Sequence, residues 1–358
     1  MTHVTRLFAI LSCLLLLVMA SNSAQAAEKY EPPRLADGKP DLQGVWSNAS
    51  LTRMTRGSDF KDLVIPKEVI DDVTYNSYYN KRLREDNKPT DPNAPPPTDG
   101  DTQKGYNNFW IDPGSTYGKV KGEYRSSWII SPKNGQIPYS PEGRKMRMAA
   151  FRSGGQEGNG RAGMFDGPEI RSVGDRCLIS FGSSAGPPMN NVMYNNHYQF
   201  VQTPNHVAIL VEMNHDTRII DINGQHNPSA IKEWFGSSVG KWTGDTLVVE
   251  TQNIHPIQES RGAFPLSEKG KVTERFTRYS ETEMLYEFTV DDPIYYKEKW
   301  KGEMVFVKSE ESIFEYACHE GNYALPGILA GARKEEREKA AKEKLVVVRR
   351  CTLFLSAN

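Results

Sequence analysis

The sequence has little of what most readily betrays a function. Past position 26 it contains no apolar run approaching the roughly 20 residues of a bilayer-spanning helix, so stable membrane insertion of the remaining chain is not expected. An excess of either charge is missing too. The 44 Lys and Arg stand against 45 Asp and Glu, which excludes the basic surface of a nucleic-acid or acidic-membrane binder. Cysteine and histidine are scarce, at four and seven, and the cysteines fall at neither metal-finger nor redox-pair spacing. No Gly-x-Ser-x-Gly elbow, P-loop, dinucleotide fingerprint or His-Glu-x-x-His helix occurs, so neither a nucleotide nor a nicotinamide or flavin cofactor is implied. Gly154-Gly155 and the Gly182 to Pro188 stretch are loops of another kind, since neither joins a strand to a helix opening with Lys-Ser or Lys-Thr.

What is present begins with a leader. Arg6 supplies a positive charge, positions 7–19 are apolar apart from Ser12 and Cys13, and Ala24-Gln25-Ala26 has the small-x-small pattern of a signal-peptidase site. Residues 1–26 are therefore expected to be a signal peptide, and the mature protein periplasmic or secreted. Removing them leaves 43 basic against 45 acidic residues, a balance of −2. Three cysteines would remain in an oxidising compartment, Cys177, Cys318 and Cys351. Cys177 with Cys318 is the favoured bridge, because each borders a predicted strand beside the most polar cluster of the chain; the other two pairings stay open.

Gly and Pro are plentiful, at 29 and 22, and Tyr and Phe are frequent, which favours sheet and loops over a helical bundle. Positions 27–124 read as an irregular segment wrapping the domain, with one short strand at Gly44-Val45-Trp46 and one helix at 66–84. The proline-rich stretch from Asn87 to Pro97 can join neither ladder nor helix, because proline lacks the amide donor and fixes φ. Positions 125–358 read as a β domain. Strands are expected at 127–131, 176–181, 197–203, 206–213, 218–222, 246–251, 272–279, 284–290, 298–307, 313–318 and 345–355, with helices at 141–152, capped by Ser140, and at 325–344. Short polar turns between the later strands make the sheet an antiparallel meander. So many strands leave exposed edges unless they close, so the expected fold is mainly β, a closed or strongly bent barrel with two peripheral helices; a β-sandwich is the alternative.

Chemistry is expected where histidine meets an acid. Asn214-His215-Asp216-Thr217-Arg218 and Cys318-His319-Glu320-Gly321-Asn322-Tyr323 each follow a predicted strand and join an imidazole to an adjacent carboxylate. Imidazole titrates near neutrality, and a neighbouring carboxylate can orient it and raise its pKa, which suits proton abstraction and return. His215 and His319 are the candidate proton carriers, Asp216 and Glu320 their orienting groups, and Arg218 a stabiliser of oxyanion charge. Glutamates at 212, 250, 274, 287 and 315 punctuate successive predicted strands, and alternation puts Glu287 on the face opposite Tyr286 and Phe288. Tyr194, Asn195, Glu212, Arg261, Glu287, Asn322 and Tyr323 complete the set as candidate substrate contacts. His215, Asp216, His226, His319 and Glu320 are acceptable metal-ligand types without a recognised ligand spacing, so no metal site is assigned.

Several segments carry a resemblance: Pro40-Asp41-Leu42-Gln43-Gly44-Val45-Trp46, His215-Asp216-Thr217-Arg218-Ile219-Ile220, Gly244-Asp245-Thr246-Leu247-Val248-Val249-Glu250-Thr251, Thr273-Glu274-Arg275-Phe276-Thr277-Arg278, Tyr286-Glu287-Phe288-Thr289-Val290-Asp291-Asp292-Pro293 and Tyr316-Ala317-Cys318-His319-Glu320-Gly321-Asn322-Tyr323. Together, over positions 40–333, they resemble a large group of uncharacterised exported bacterial proteins, and Gly-x-Trp on the early strand is reminiscent of lipocalin-like, calycin-type barrels. The resemblance implies an exported single domain and brings no catalytic residue or cofactor with it. The residues themselves point to a cofactor-independent acid/base enzyme, a lyase, isomerase or hydrolase, acting on a small organic molecule, aromatic or cyclic. A periplasmic small-molecule binding protein without catalysis and a metal-dependent hydrolase are the alternatives.

Overall fold

The computed structural model describes residues 30–89, 93, 111–152, 165–179, 184, 186–255 and 264–355, with residues 86, 150–152 and 345–355 by backbone alone. Strand β1 (Gly44–Ser47) leads into a small sheet of β2 (Val64–Ile65), β3 (Lys119–Val120) and β4 (Glu123–Arg125), followed by β5 (Ile129–Ser131). The main sheet follows as β6 (His197–Gln202), β7 (His206–Val211), β8 (Thr217–Ile222), β9 (Ser237–Thr243), β10 (Thr246–Gln252), β11 (Lys271–Arg278), β12 (Glu283–Asp291) and β13 (Trp300–Ser309). These eight strands pair in sequence order, and β1 slots between β6 and β13, closing a nine-stranded barrel. Closure removes the edges that an open sheet of this size would present. The sandwich alternative is thereby set aside.

The expected antiparallel meander needs one correction. β8 and β9 are parallel, with Ile220 opposite Ser238 and Ile222 opposite Gly240, because residues 223–236 carry the chain back along the barrel before β9 starts. The tightest hairpin joins β9 to β10, where Thr243 and Thr246 pair across Gly244 at φ 58.

Alternation sorts each strand into an inner and an outer face. Along β12, Met284, Tyr286, Phe288 and Val290 point inward and are buried, while Glu287 and Thr289 face out. Trp46, Tyr198, Phe200, Phe276, Phe288, Trp300 and Phe306 also fill the interior, with edge-to-face contacts such as Phe288 to Trp300 at 5.6 Å. Gly302 makes room for this packing: a Cβ there would lie 2.2 Å from the Phe288 ring. One end of the barrel is stoppered by the chain around Met189, whose amide donates to the Tyr286 hydroxyl at 2.9 Å, while the Tyr198 hydroxyl donates to the Ser184 carbonyl at 2.9 Å. Among the described residues the lumen is a packed core.

An ion pair is set into this interior. The Arg218 guanidinium and the Glu274 carboxylate, both essentially inaccessible, meet at 3.0 and 2.6 Å, and the Tyr286 hydroxyl donates to the same carboxylate at 2.7 Å.

The helices are α1 (Ile70–Tyr75), α2 (Tyr78–Asp86), α3 (Pro141–Arg152) and α4 (Ala324–Leu355). The single helix expected at 66–84 is thus two, broken at Asn76 and restarted where the Ser77 hydroxyl accepts from the Asn80 amide. Ser140 caps α3 as expected, accepting from Gly143 N at 2.8 Å. The strand expected at 345–355 is instead the continuation of α4, since adding residues to an established helix is far easier than nucleating a new element. No helix among the described residues is long and apolar enough to cross a membrane. Positions 176–179 and 313–318 also form no strand; they are turns and extended chain bridged by the Cys177–Cys318 disulfide, the favoured pairing. The leader expected at 1–26 lies outside the described residues, as does the Cys351 side chain.

Candidate functional site at the barrel rim

The two histidine-bearing segments meet, although not through their histidines. Residues 311–323 run as a strap past the β6–β7 end of the barrel, and its central contact is the amide of Phe314, which donates to Glu212 Oε1 at 3.1 Å. Farther along, Tyr316 is hydrogen-bonded to Tyr194, and burial with that bond lifts the Tyr316 hydroxyl to about 12. Cys318 is then tied to Cys177, and Asn322 Nδ2 donates to the Asp175 carbonyl at 2.8 Å.

His215 and His319 themselves are exposed, and among the described residues neither ring has a hydrogen-bond or ion-pair partner. The expectation that Asp216 and Glu320 orient them is therefore not met. His215 sits at φ 43 directly after Asn214 at φ 62, a tight turn that directs the chain rather than aiming the ring. Its amide donates to the Glu212 carbonyl at 3.2 Å, and the Asp216 carbonyl accepts from Val211 N at 2.7 Å. Glu320 is exposed. Arg218, expected to steady an oxyanion at the surface, is sealed inside the barrel on Glu274, because its position in β8 points inward.

The expected substrate contacts divide in the same way. Tyr194 and Glu212 belong to the rim. Asn195, at φ 54, sits in the turn before β6. Asn322 caps α4, its Oδ1 accepting from Leu325 N at 3.2 Å, and Tyr323 beside it is 84 % exposed. Glu287 lies on the outer wall, 3.9 Å from Arg275. Arg261 is outside the described residues.

At the rim, the imidazole that meets a carboxylate is His197, at the start of β6. The β6–β7 hairpin sets it opposite Glu212, whose amide donates to the His197 carbonyl at 3.0 Å. His197 Nδ1 lies 3.0 Å from Glu212 Oε2, and the same oxygen accepts from the His197 amide at 3.2 Å. Glu212 is 2 % exposed, and its carboxylate holds three hydrogen bonds, two with His197 and one with Phe314, so its orientation is fixed. The remaining ring nitrogen, Nε2, faces Glu311 at 3.7 Å, and Glu311 is largely in solvent.

Electrostatics follow from this packing. The hydrogen bond that His197 makes to the Glu212 carboxylate raises the His197 pKa above its ordinary value, overcoming the opposing effect of burial. Burial pushes the Glu212 pKa up, yet the bonds from His197 and from the Phe314 amide outweigh it and leave the carboxyl below its ordinary value. A buried carboxylate on Nδ1 fixes the ring and leaves Nε2 as the nitrogen able to take and return a proton. The signal was present in the sequence: a histidine opening one strand and an acid closing the next, 15 positions on, are opposite each other in any hairpin centred near Asn205.

Among the described residues no group of three His, Cys, Asp or Glu side chains is arranged to hold a metal ion. No family model matches the chain, and neither a curated protein nor a solved structure shows significant similarity to it.

Proposed function

We propose that this is an exported acid/base enzyme, acting without a dissociable cofactor on a small organic molecule that meets the barrel at its rim. The observation that carries the proposal is the His197–Glu212 contact: a half-buried imidazole locked at Nδ1 by a carboxylate that has nowhere else to turn. In this reading His197 Nε2 exchanges the proton, Glu212 positions the ring and stabilises the imidazolium, and Tyr194 with Tyr316 borders the substrate. The aromatic rim suits an aromatic or cyclic substrate in a lyase, isomerase or hydrolase reaction. Because the lumen is packed with side chains, substrate binds outside it.

The test is a turnover screen of purified protein against small aromatic and cyclic metabolites, run in parallel on His197→Ala, Glu212→Gln and His319→Ala. Loss of turnover in His197→Ala, a lowered kcat with a displaced pH profile in Glu212→Gln, and retained activity in His319→Ala support the assignment. Full turnover in a folded His197→Ala protein would end it.

A further inference from the structure

A second imidazole–carboxylate contact lies on the outer wall of the barrel, where the segment that reverses the chain between β8 and β9 crosses the outer face of β9 and β10. Two cross-strand rows form the floor there. Val239, Glu250 and Thr273 are in register in one row, and Lys241 and Val248 in the next. Asn223 and Gly224 begin the wall, with the Asn223 amide donating to the Gly240 carbonyl at 2.8 Å. The result is a cavity of about 430 Å³, a volume within the usual range for small-molecule sites.

Its polar groups are held in place. His226 Nδ1 lies 3.0 Å from the Ser237 carbonyl oxygen, so that nitrogen carries a hydrogen, and Nε2 faces Glu250 Oε1 at 3.4 Å. The neighbouring Asn227 is fastened by its amide to Ser237 Oγ at 3.0 Å and by its carbonyl to Asn253 Nδ2 at 2.9 Å, which keeps the histidine over the cavity. Glu250 already has a countercharge in Lys271 at 3.1 Å. Lys241 has no ion-pair partner among the described residues, and so the wall carries one uncompensated cation beside two valines.

We infer that this cavity is a binding site for a small organic monocarboxylate. The ammonium of Lys241 meets the carboxylate, Val239 and Val248 cover the apolar body, and the His226–Glu250 contact offers a hydrogen bond to a polar substituent. A single compact cation suits one negative charge; the cavity lining lacks the arginine fork that suits a phosphate.

Calorimetric titration with benzoate, phenylacetate and hexanoate, each against its uncharged amide and against inorganic phosphate, tests this site. Saturable binding of at least one carboxylate is expected, with its amide weaker by about fivefold or more. Lys241→Gln, a change at an exposed position, should weaken the carboxylate to the level of the amide, and His197→Ala should leave binding intact, which separates this site from the rim. Failure of all three carboxylates to bind, equal affinity in Lys241→Gln, or phosphate binding as tightly as the carboxylates would each overturn the inference.

Discussion

Arg218 and Glu274 form a two-pronged ion pair inside a barrel whose other inward side chains are almost all apolar, and neither is more than 2 % exposed. Burying two charges is costly, and the pair persists through two short hydrogen bonds, with Tyr286 supplying a further donor to Glu274, while Arg218 Nε is left without a partner among the described residues. Removing one partner strands the other. Glu274→Gln should therefore lower unfolding stability by about 3–5 kcal/mol in urea titration, while the double change Arg218→Met with Glu274→Leu should restore most of it. A single-variant loss below about 1 kcal/mol would show that water reaches the pair.

The rim pair gives stability a defined pH window. Glu212 has a lowered pKa in the folded protein, so its contribution is present above the ordinary carboxylate value and is lost as pH falls through the lowered one. His197 has a raised pKa, so its contribution is full below the ordinary imidazole value and is lost as pH rises through the raised one. The difference in melting temperature between the native chain and Glu212→Gln should peak between those two ordinary values and shrink toward both sides. A difference independent of pH from 4 to 9 contradicts the ion pair.

The strap depends on its cross-link. The Cys177–Cys318 disulfide spans 141 positions, and replacing both cysteines with serine should cost about 2–4 kcal/mol. Hydrogen exchange localises the loss. The Phe314 amide, protected by Glu212, should exchange faster in the serine variant, while the amides of β11 and β12 stay protected.

Gly302 tests the packing claim. Its alpha hydrogen faces the Phe288 ring, and Gly302→Ala should destabilise the barrel by about 1–3 kcal/mol, since the ring is confined between Tyr286 and Trp300. Combining it with Phe288→Leu should cost less than the sum of the two single changes if the clash is the cause.

The later barrel strands were legible because large apolar residues recur at alternate positions on their inner faces, Val272 and Phe276 on either side of Glu274 in β11 and Tyr286, Phe288 and Val290 in β12. β9 was not. Its inward positions are Ser238 and Gly240, small because Ile220, Ile222 and Leu247 crowd against them; a Cβ on Gly240 would lie 2.8 Å from two of these side chains. A strand that makes room for its neighbours carries no hydrophobic period of its own. Positions 313–318 erred the other way, with aromatic residues in an extended segment that finds side-chain anchors instead of a ladder partner.

At the site, adjacency in sequence misled. His215–Asp216 and His319–Glu320 are neighbours along the chain, and neighbours in turns and extended chain diverge. The functional-looking contacts, His197 with Glu212 and His226 with Glu250, link residues 15 and 24 positions apart that the barrel brings together. Arg218 looked available only because the sequence does not say which face of β8 points inward.

The placing of β1 governs how the molecule can assemble. That short strand is clasped by β6 on one side and by β13 on the other, so the circle stays broken until residue 309 has left the ribosome. Any product ending earlier would expose two unsatisfied strand borders, an invitation to aggregate, and the native chain must pass through that same vulnerable interval on every synthesis.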